Sequence, residues 1–411
     1  MSDDQSDPTG HIDQAGKQRG ADGPAAARAL AGLRVIDVSE HLSGQYCARL
    51  MADAGADVTL IEPVTGTVTR SMGPFFADGT RPDDSVLFWH LNTTKRSVTL
   101  DHGSATGRRL FAQLAGDAQV IITSDGHLPP KLADNPSGGP IVCRVEEFAS
   151  GEAFSGWAGS ELIHQALSGV MNENGAAGRE PLYGVGRRGY YAAGTIAYIT
   201  ILARLLGSHG EGAAGDPRVT VAETTAAMNY NRGTQYWYNG SRDVRGDPRS
   251  PRMTLRCRDG WVVTFPTQRR WAGTCRVFRS PELAKRADLA DEAARLDRWP
   301  EIAEVFQRHV AECDRADLMA DAQRERVVVA QVAGPGDLRA DAHLAERAYW
   351  QSLDDAEGRK RAALGPLFRF SSIDRRRLNR PPRLGEHTWQ VLRNHGIGSQ
   401  EYALLRNCLV V

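Results

Sequence analysis

The stretch of sequence that decides the fold runs from Leu33 to Pro63 and reads LRVIDVSEHLSGQYCARLMADAGADVTLIEP. Its opening run, Leu33–Val38, and its closing run, Val58–Glu62, are rich in Val, Ile and Leu, which is typical of short buried β-strands. Between them, Tyr46–Ala54 carries apolar residues at helical spacing, and Gly55 ends that helix. A strand, a helix and a second strand in about 30 residues predict a βαβ unit.

The same alternation continues beyond this unit. Three more strand-like runs and one helical run follow, at Arg96–Leu100, Ala105–Ala115, Gln119–Thr123 and Pro140–Arg144. Residues 30–150 therefore predict an open, mostly parallel α/β sheet. A Gly-rich loop then leads into an apolar helix at about Ala192–Leu206, and Arg252–Phe265 predicts a β-hairpin that turns at Asp259-Gly260.

The composition limits the kinds of partner and compartment. The 411 residues contain 50 Lys plus Arg and 50 Asp plus Glu, a neutral balance that argues against nucleic acid or an anionic membrane as partner. Six scattered cysteines without a C-x-x-C pair indicate neither a metal site nor a disulfide framework, so we expect a cytoplasmic protein. The polar first 30 residues are expected to be a disordered leader rather than a signal peptide, and no apolar run is long enough to span a membrane.

Six short motifs occur in a fixed order along the chain. They are Ala52–Pro63 (ADAGADVTLIEP), Asn92–Asp101 (NTTKRSVTLD), Glu161–Gly169 (ELIHQALSG), Tyr191–Gly194 (YAAG), Arg258–Trp261 (RDGW) and Pro382–Thr388 (PRLGEHT). Together they resemble the class III CoA-transferase family, which includes formyl-CoA transferase, carnitine CoA-transferase and α-methylacyl-CoA racemase. The resemblance covers roughly residues 30–400.

The resemblance implies an architecture and an assembly. It implies an α/β fold with a Rossmann-like large domain built from both chain ends and a smaller α+β domain from the middle. The expected boundaries are a leader at 1–30, the first part of the large domain at 31–225, the small domain at 226–345 and the returning segment at 346–411. It also implies an interlocked dimer, either a homodimer or a heterodimer with an aspartate-bearing homologue.

The resemblance further implies that coenzyme A, as acyl-CoA, is a substrate and that no cofactor is tightly bound. The ligand would lie at the carboxyl edge of the parallel sheet, where open α/β sheets place their ligands. The phosphates of CoA suit fixed cationic side chains. The candidates are Arg70, Lys95, Arg96, Arg187 and Arg188.

The aspartate that carries the family's covalent chemistry has no counterpart in the matching motif. In the family this aspartate opens a D-Y-A-A-G stretch and attacks the thioester, whereas here Tyr190 stands before Tyr191–Gly194. No Asp or Glu lies between Glu180 and Glu211. A tyrosine cannot form an acyl anhydride, but it can donate a hydrogen bond or act as a general acid. Its neighbours Arg187 and Arg188 can hold an anion or depress the pKa of the Tyr190 phenol.

Three functions follow as alternatives. The first is an acyl-CoA-dependent enzyme that transfers CoA between carboxylic acids or acts otherwise on the thioester. The second is a non-catalytic subunit of a heteromeric CoA-transferase. The third is an acyl-CoA racemase or isomerase, although the His of the family's racemases and the Asp that directly follows it match Ser160 and Glu161 here, and the catalytic Asp partner falls at Tyr190. His164 lies one helical turn after Ser160 and can serve as a base. The candidate catalytic residues are Tyr190, His164 and Glu161.

Overall fold

The computed structural model describes residues 28–76, 82–124, 139–207, 215–241, 245–246, 250–266, 268–371 and 378–411. The predicted leader therefore lies almost wholly outside the described residues.

A six-stranded parallel sheet forms the centre of the molecule. Its strands are Arg34–Asp37 (β1), Asp57–Glu62 (β2), Arg96–Thr99 (β3), Val120–Thr123 (β4), Ile141–Glu146 (β5) and Arg218–Thr220 (β6). They lie in the order β3-β2-β1-β4-β5-β6, with every neighbouring pair parallel. This is the Rossmann strand order, so the predicted α/β class is confirmed. The order reverses between β1 and β4, which creates a crevice at the carboxyl ends of these strands.

Helices pack on both faces of this sheet, and other helices belong to the smaller unit described below. The α-helices of the described residues are Leu42–Asp53, Val86–Asn92, Ala105–Gly116, Glu161–Leu167, Val170–Glu173, Arg188–Gly207, Val221–Ala227, Tyr230–Asn239, Trp271–Val277, Glu292–Asp297, Trp299–Val310, Arg315–Glu325, Pro335–Ala340, Ala342–Glu346, Thr388–Asn394 and Ser399–Asn407. Met51 and Ala197 belong to the core on one face, and Phe111 and Leu392 belong to the core on the other. None of these helices combines the length and apolarity needed to cross a bilayer.

The C-terminal motif attaches the end of the chain to β3. The backbone N–H of Gly385 donates to Ser97 Oγ over 2.9 Å, and the N–H of His387 donates to the Ser97 carbonyl over 2.9 Å. Thr388 Oγ1 accepts from the Thr99 N–H over 3.0 Å. The motif Pro382–Thr388 therefore stabilises the fold, because its residues connect distant parts of the chain.

A second, smaller α+β unit has its own core. The strands Met253–Cys257 (β7), Gly260–Thr264 (β8) and Val329–Gln331 (β9) form an antiparallel sheet, which confirms the predicted hairpin. Helices pack on this sheet around Phe278, Trp299 and Phe306. A further antiparallel hairpin consists of Trp350–Asp354 (β10) and Lys360–Leu364 (β11). The domain boundaries given above stay predictions.

The helix Arg188–Gly207, called the long helix below, begins four residues before its predicted start at Ala192. The prediction was wrong here because Gly189, Tyr190 and Tyr191 are weak helix formers and the apolar pattern starts only after them. A carboxylate from another helix, described below, accepts hydrogen bonds at this end and offsets the weak propensity.

Candidate functional site

The candidate site lies at the carboxyl edge of the central sheet. Glu147 directly follows β5, and His41 follows β1 at the start of the helix Leu42–Asp53. These strands flank β4, next to the point where the strand order reverses. An open α/β sheet offers its ligand crevice at this place.

The carboxylate of Glu147 is the centre of the site. Glu147 is 8% exposed. The Tyr190 hydroxyl donates to Oε1 over 2.8 Å, and His164 Nε2 lies 2.5 Å from Oε2. Nδ1 of His41, whose side chain is 39% exposed, lies 3.6 Å from Oε1. Both carboxylate oxygens thus have a partner, and the side facing His41 lies closest to solvent.

The pKa of Glu147 is lowered at this site, and the pKa of Tyr190 is raised. Burial alone raises the pKa of Glu147, but the hydrogen bonds from His164 and Tyr190 and the nearby His41 outweigh it, so the pKa lies below its ordinary value. Burial and the Glu147 carboxylate raise the pKa of Tyr190 well above its ordinary value. Arg187 does lower the pKa of Tyr190, as expected, but burial and the Glu147 carboxylate outweigh its effect. At neutral pH the site holds an ionised carboxylate beside a protonated phenol.

His164 is buried beneath this carboxylate. It is 1% exposed, and its ring lies 5.1 Å from the ring of Phe148. Its Nδ1 is buried and has no hydrogen-bond partner among the described residues. A neutral imidazole with the proton on Nε2 satisfies both observations, because that nitrogen then donates to Glu147 while Nδ1 carries only a lone pair. His164 therefore orients Glu147.

Glu161 is the carboxylate that caps the long helix. Its oxygens accept the backbone N–H of Gly189 over 3.0 and 3.1 Å and that of Tyr190 over 3.4 Å. Gln165 Nε2 also donates to it over 2.8 Å. A buried anion at a helix N-terminus satisfies backbone donors and interacts favourably with the helix dipole. Glu161 therefore fixes the turn that carries Tyr190.

Two glycines let the backbone approach these groups. A Cβ atom on Gly159 would lie 2.3 Å from Glu147 Oε2 and 2.6 Å from His164 Nε2. One on Gly189 would lie 2.4 Å from Thr225 Oγ1. Any larger residue at either position would displace the site, so both glycines are required by close packing.

Three of the five predicted CoA ligands lie in the framework of the fold. Lys95 is 3% exposed, and its Nζ donates over 2.8 Å to Asp37, to the Gln45 carbonyl and to Asn92. Arg70 is 1% exposed and contacts both oxygens of Glu62.

Arg96 lies at the opposite edge of the sheet from the site. It begins β3, and it pairs over 2.8 Å with Asp57, which begins β2. The amino ends of parallel strands lie away from the carboxyl edge, so Arg96 and Glu147 stand at opposite edges. The structure thus places Tyr190 and His164 against Glu147, and Glu161 against the backbone that carries Tyr190, whereas Arg70, Lys95 and Arg96 pair with other residues.

The other two predicted ligands, Arg187 and Arg188, stand at the start of the long helix. Arg188 is exposed and donates to the Val185 carbonyl over 3.2 Å. Arg187 is half-buried and lines a cavity of about 640 Å³ together with Tyr191 and His90. Burial and the nearby Arg49 lower the pKa of His90 to about 4, so its imidazole is neutral at pH 7.

Glu147 is the functional candidate that sequence analysis missed. It stands in the pair Glu146-Glu147 just beyond the predicted strand Pro140–Arg144, and adjacent carboxylates at that edge were the available signal. No motif pointed to it, because it lies between the motifs Asn92–Asp101 and Glu161–Gly169. Within the described ranges, no group of His, Cys, Asp and Glu side chains is arranged to hold a metal ion.

Known proteins that resemble this chain match it along most of its length. The subunit BbsE of succinyl-CoA:(R)-benzylsuccinate CoA-transferase from Thauera aromatica is 27% identical, with 87% of this chain and 92% of that protein aligned. The succinyl-CoA:mesaconate CoA-transferase of Haloarcula hispanica is also 27% identical, over 90% and 97% of the two chains. A crystal structure of a CAIB/BAIF family protein from Brucella suis has a TM-score of 0.78 at 24% identity, covering 89% and 98%.

The sequence profile of CoA-transferase family III matches residues 30–388, which carry the central sheet, the smaller unit and the candidate site. On this match over most of its length, the chain belongs to CoA-transferase family III.

Proposed function

We propose that this protein transfers coenzyme A between carboxylic acids, taking it from an acyl-CoA thioester. The relatives from Thauera aromatica and Haloarcula hispanica support the proposal, because both are named as CoA-transferases with succinyl-CoA as donor. The CoA moiety would lie along the carboxyl edge of the sheet. The acyl group and the acceptor acid stay open.

The observation that carries the proposal is the Glu147 carboxylate beside Tyr190. CoA transfer between acids needs an enzyme carboxylate, since only an ionised oxygen nucleophile of this kind gives an anhydride that a thiolate can reopen. Tyr190 stands where the family motif has its aspartate, yet the phenol reaches a different carboxylate over 2.8 Å. A carboxylate is therefore present at the site, although the matching motif lacks its aspartate.

Arg187 is proposed to hold a negatively charged part of the substrate. Within the described ranges its guanidinium makes no ion pair, although it is half-buried at an apolar cavity. Its φ of 52° lies in the left-handed region, which a non-glycine residue adopts at a cost that functional sites often bear. A planar guanidinium suits a carboxylate or a phosphate. Arg188 would add positive charge at the start of the long helix.

A second candidate function is that of a scaffold subunit in a heteromeric CoA-transferase. Tyr190 in the aspartate position favours it, and so does the relative from Thauera aromatica, which is named as a subunit. In that case the catalytic carboxylate would come from the partner chain.

The test is an exchange assay on the purified chain. Succinyl-CoA is incubated with short mono- and dicarboxylic acids, and newly formed acyl-CoA is measured by mass spectrometry. We expect a new thioester with at least one acid. Exchange that appears only after an aspartate-bearing homologue is added would establish the subunit function instead. Deuterium uptake at the α-carbon without exchange would identify an isomerase.

A further inference from the structure

We infer that Glu147 is the residue to which coenzyme A becomes covalently attached during transfer. This inference rests on the proposed function and names the residue that performs its central step. It would make the chain a CoA-transferase whose reactive carboxylate comes from the end of β5, instead of from the long helix.

The contact between the long helix and the end of β5 supports a reactive carboxylate on the strand side. The first turn of the long helix carries Tyr190, whose side chain extends to Oε1 of Glu147. A bulky residue on the helix and a carboxylate on the opposite strand end thus occupy the space between the two elements. An aspartate on the helix would fill the same space from the other side.

The two carboxylate oxygens have different surroundings, and this assigns their roles. Oε2 lies against His164, whose side chain has no exposed surface. Oε1 lies on the side of His41, which is 39% exposed. Oε1 is therefore the oxygen that an acyl-CoA reaches from solvent, and Oε2 stays beside the imidazole N–H.

The reaction sequence balances without a further reagent. Oε1 attacks the thioester carbon, the C–S bond breaks, and CoA leaves as thiolate, so that a mixed anhydride of Glu147 and the donor acid remains. The thiolate then attacks Cδ of Glu147, and the donor acid leaves with the bridging oxygen. An acceptor carboxylate attacks the resulting thioester at Cδ and expels CoA thiolate. The thiolate finally attacks the acceptor's acyl carbon, which forms the new acyl-CoA and returns Glu147 as a carboxylate.

His164 and Tyr190 act through Glu147 and are positioning residues. While Glu147 is ionised, they fix its orientation. When a nucleophile attacks Cδ, charge develops on the remaining carbonyl oxygen, and the Nε2 proton of His164 already points at Oε2. Such a preorganised donor stabilises the tetrahedral intermediate in a buried site.

Glu161 is the competing carboxylate, and its contacts make it unsuitable. Its oxygens accept from the backbone of Gly189 and Tyr190, so attack by either oxygen would uncap the long helix. The donors on Glu147 are side chains, which adjust as its charge changes.

The test traps the intermediate on the full-length chain. The protein is incubated with succinyl-CoA and other acyl-CoA donors and is then reduced with borohydride, which converts an enzyme thioester to an alcohol. Peptide mass spectrometry locates the reduced residue, which we expect to be Glu147. With an ¹⁸O-labelled acceptor acid, one turnover should leave ¹⁸O in the same side chain.

Variants separate the site from its surroundings. Glu147→Gln should abolish the adduct and lower exchange by at least about a thousandfold. Glu161→Gln should keep the adduct at Glu147, and the exposed Glu152→Gln should behave as wild type. Tyr190→Phe should keep the adduct at Glu147 while altering the pH profile.

The outcomes distinguish the two proposals. Exchange by the wild type with an adduct elsewhere, or undiminished exchange by a folded Glu147→Gln protein, would overturn the role of Glu147 and leave the proposed function standing. Absence of both exchange and adduct with every donor would overturn both.

Discussion

At the scale of single residues, the pH response of the site is set by the donors around Glu147. Its folded-state pKa is below the ordinary value of 4.5, because hydrogen bonds outweigh burial. The stability from these bonds is therefore fully present above the unfolded-state pKa and is lost as the pH falls through the lower folded-state pKa. The acid limb of activity should follow the same folded-state pKa, since only the ionised form is a nucleophile.

Replacing Tyr190 with Phe should move the acid limb of the pH–activity profile to higher pH. The variant removes the hydroxyl that donates to Oε1 over 2.8 Å. We expect a loss of about 1.5–3 kcal/mol in the free energy of unfolding at pH 7, typical of a hydrogen bond to a charged group. The measurements are a pH–rate profile and denaturant unfolding. Tyr198→Phe, on the same helix but away from the site, should change neither, and an unmoved limb in Tyr190→Phe would contradict the role of the phenol.

Replacing Lys95 with Met tests whether this residue serves the fold or the ligand. Its ammonium group is buried against Asp37, and removing it leaves an unpaired buried carboxylate. We expect a loss of about 3–5 kcal/mol in the free energy of unfolding, measured in guanidinium chloride at pH 7.

The adjacent Arg96→Met provides the matched control. The pair that Arg96 makes with Asp57 is partly exposed, so its loss should cost at most about 1 kcal/mol. A Lys95→Met protein of unchanged stability but raised KM for acyl-CoA would instead support the predicted phosphate contact.

Lys95 also shows why its surroundings could not be predicted from sequence. The K-R pair matched a family motif, and two adjacent cations suggested phosphate binding. Adjacent residues entering a strand point to opposite sides, so Lys95 turns into the protein while Arg96 turns out. The sequence predicted the strand, but it held no information on which side faced Asp37, 58 positions earlier in the chain.

At the scale of elements, the long helix depends on close contact with the helix Leu42–Asp53. A Cβ atom on Gly194 would lie 2.5 Å from the Ser43 carbonyl oxygen and 3.1 Å from the Tyr46 ring. The Y-A-A-G motif therefore has a packing reason that is independent of chemistry: small residues let the two helices meet.

Gly194→Ala should destabilise the protein by about 1–3 kcal/mol, because the added methyl group forces the helices apart. On the same helix, a methyl group at Gly207 meets no atom of the described residues within 4 Å, so Gly207→Ala should be neutral or stabilising by up to about 1 kcal/mol. Thermal and denaturant unfolding of the pair measures the difference. Equal stability of the two variants would mean that the helices separate without cost.

The long helix also shows where element prediction stopped. Its apolar body was predicted, but its first turn was not, because the capping carboxylate of Glu161 comes from a helix 27 residues earlier in the chain. Glu147 was missed for the same reason, because its partners are distant in the sequence. Nothing in the local sequence indicates that the end of β5 faces the first turn of the long helix.

At the scale of the whole molecule, the described surface includes an apolar face that one chain leaves uncovered. The long helix is apolar all round, yet it buries only one side, with Ala193, Ala197 and Ile201. On its other side Ile196 is 43% and Ile199 is 54% exposed. A helix that is apolar on every side is stable only when it is covered on every side. We propose that a second copy of this chain covers it.

Ile199→Asp should therefore break the assembly. Wild-type protein should sediment at twice the 44.8 kDa of one chain. An aspartate in the apolar contact should raise the dimer dissociation constant at least about a hundredfold, because a buried unpaired charge is costly. Leu404→Asp, exposed on a helix against the opposite sheet face, should leave the dimer intact. A wild-type monomer at micromolar concentration would contradict the homodimer, and its recovery as a pair with an aspartate-bearing homologue would favour the subunit function.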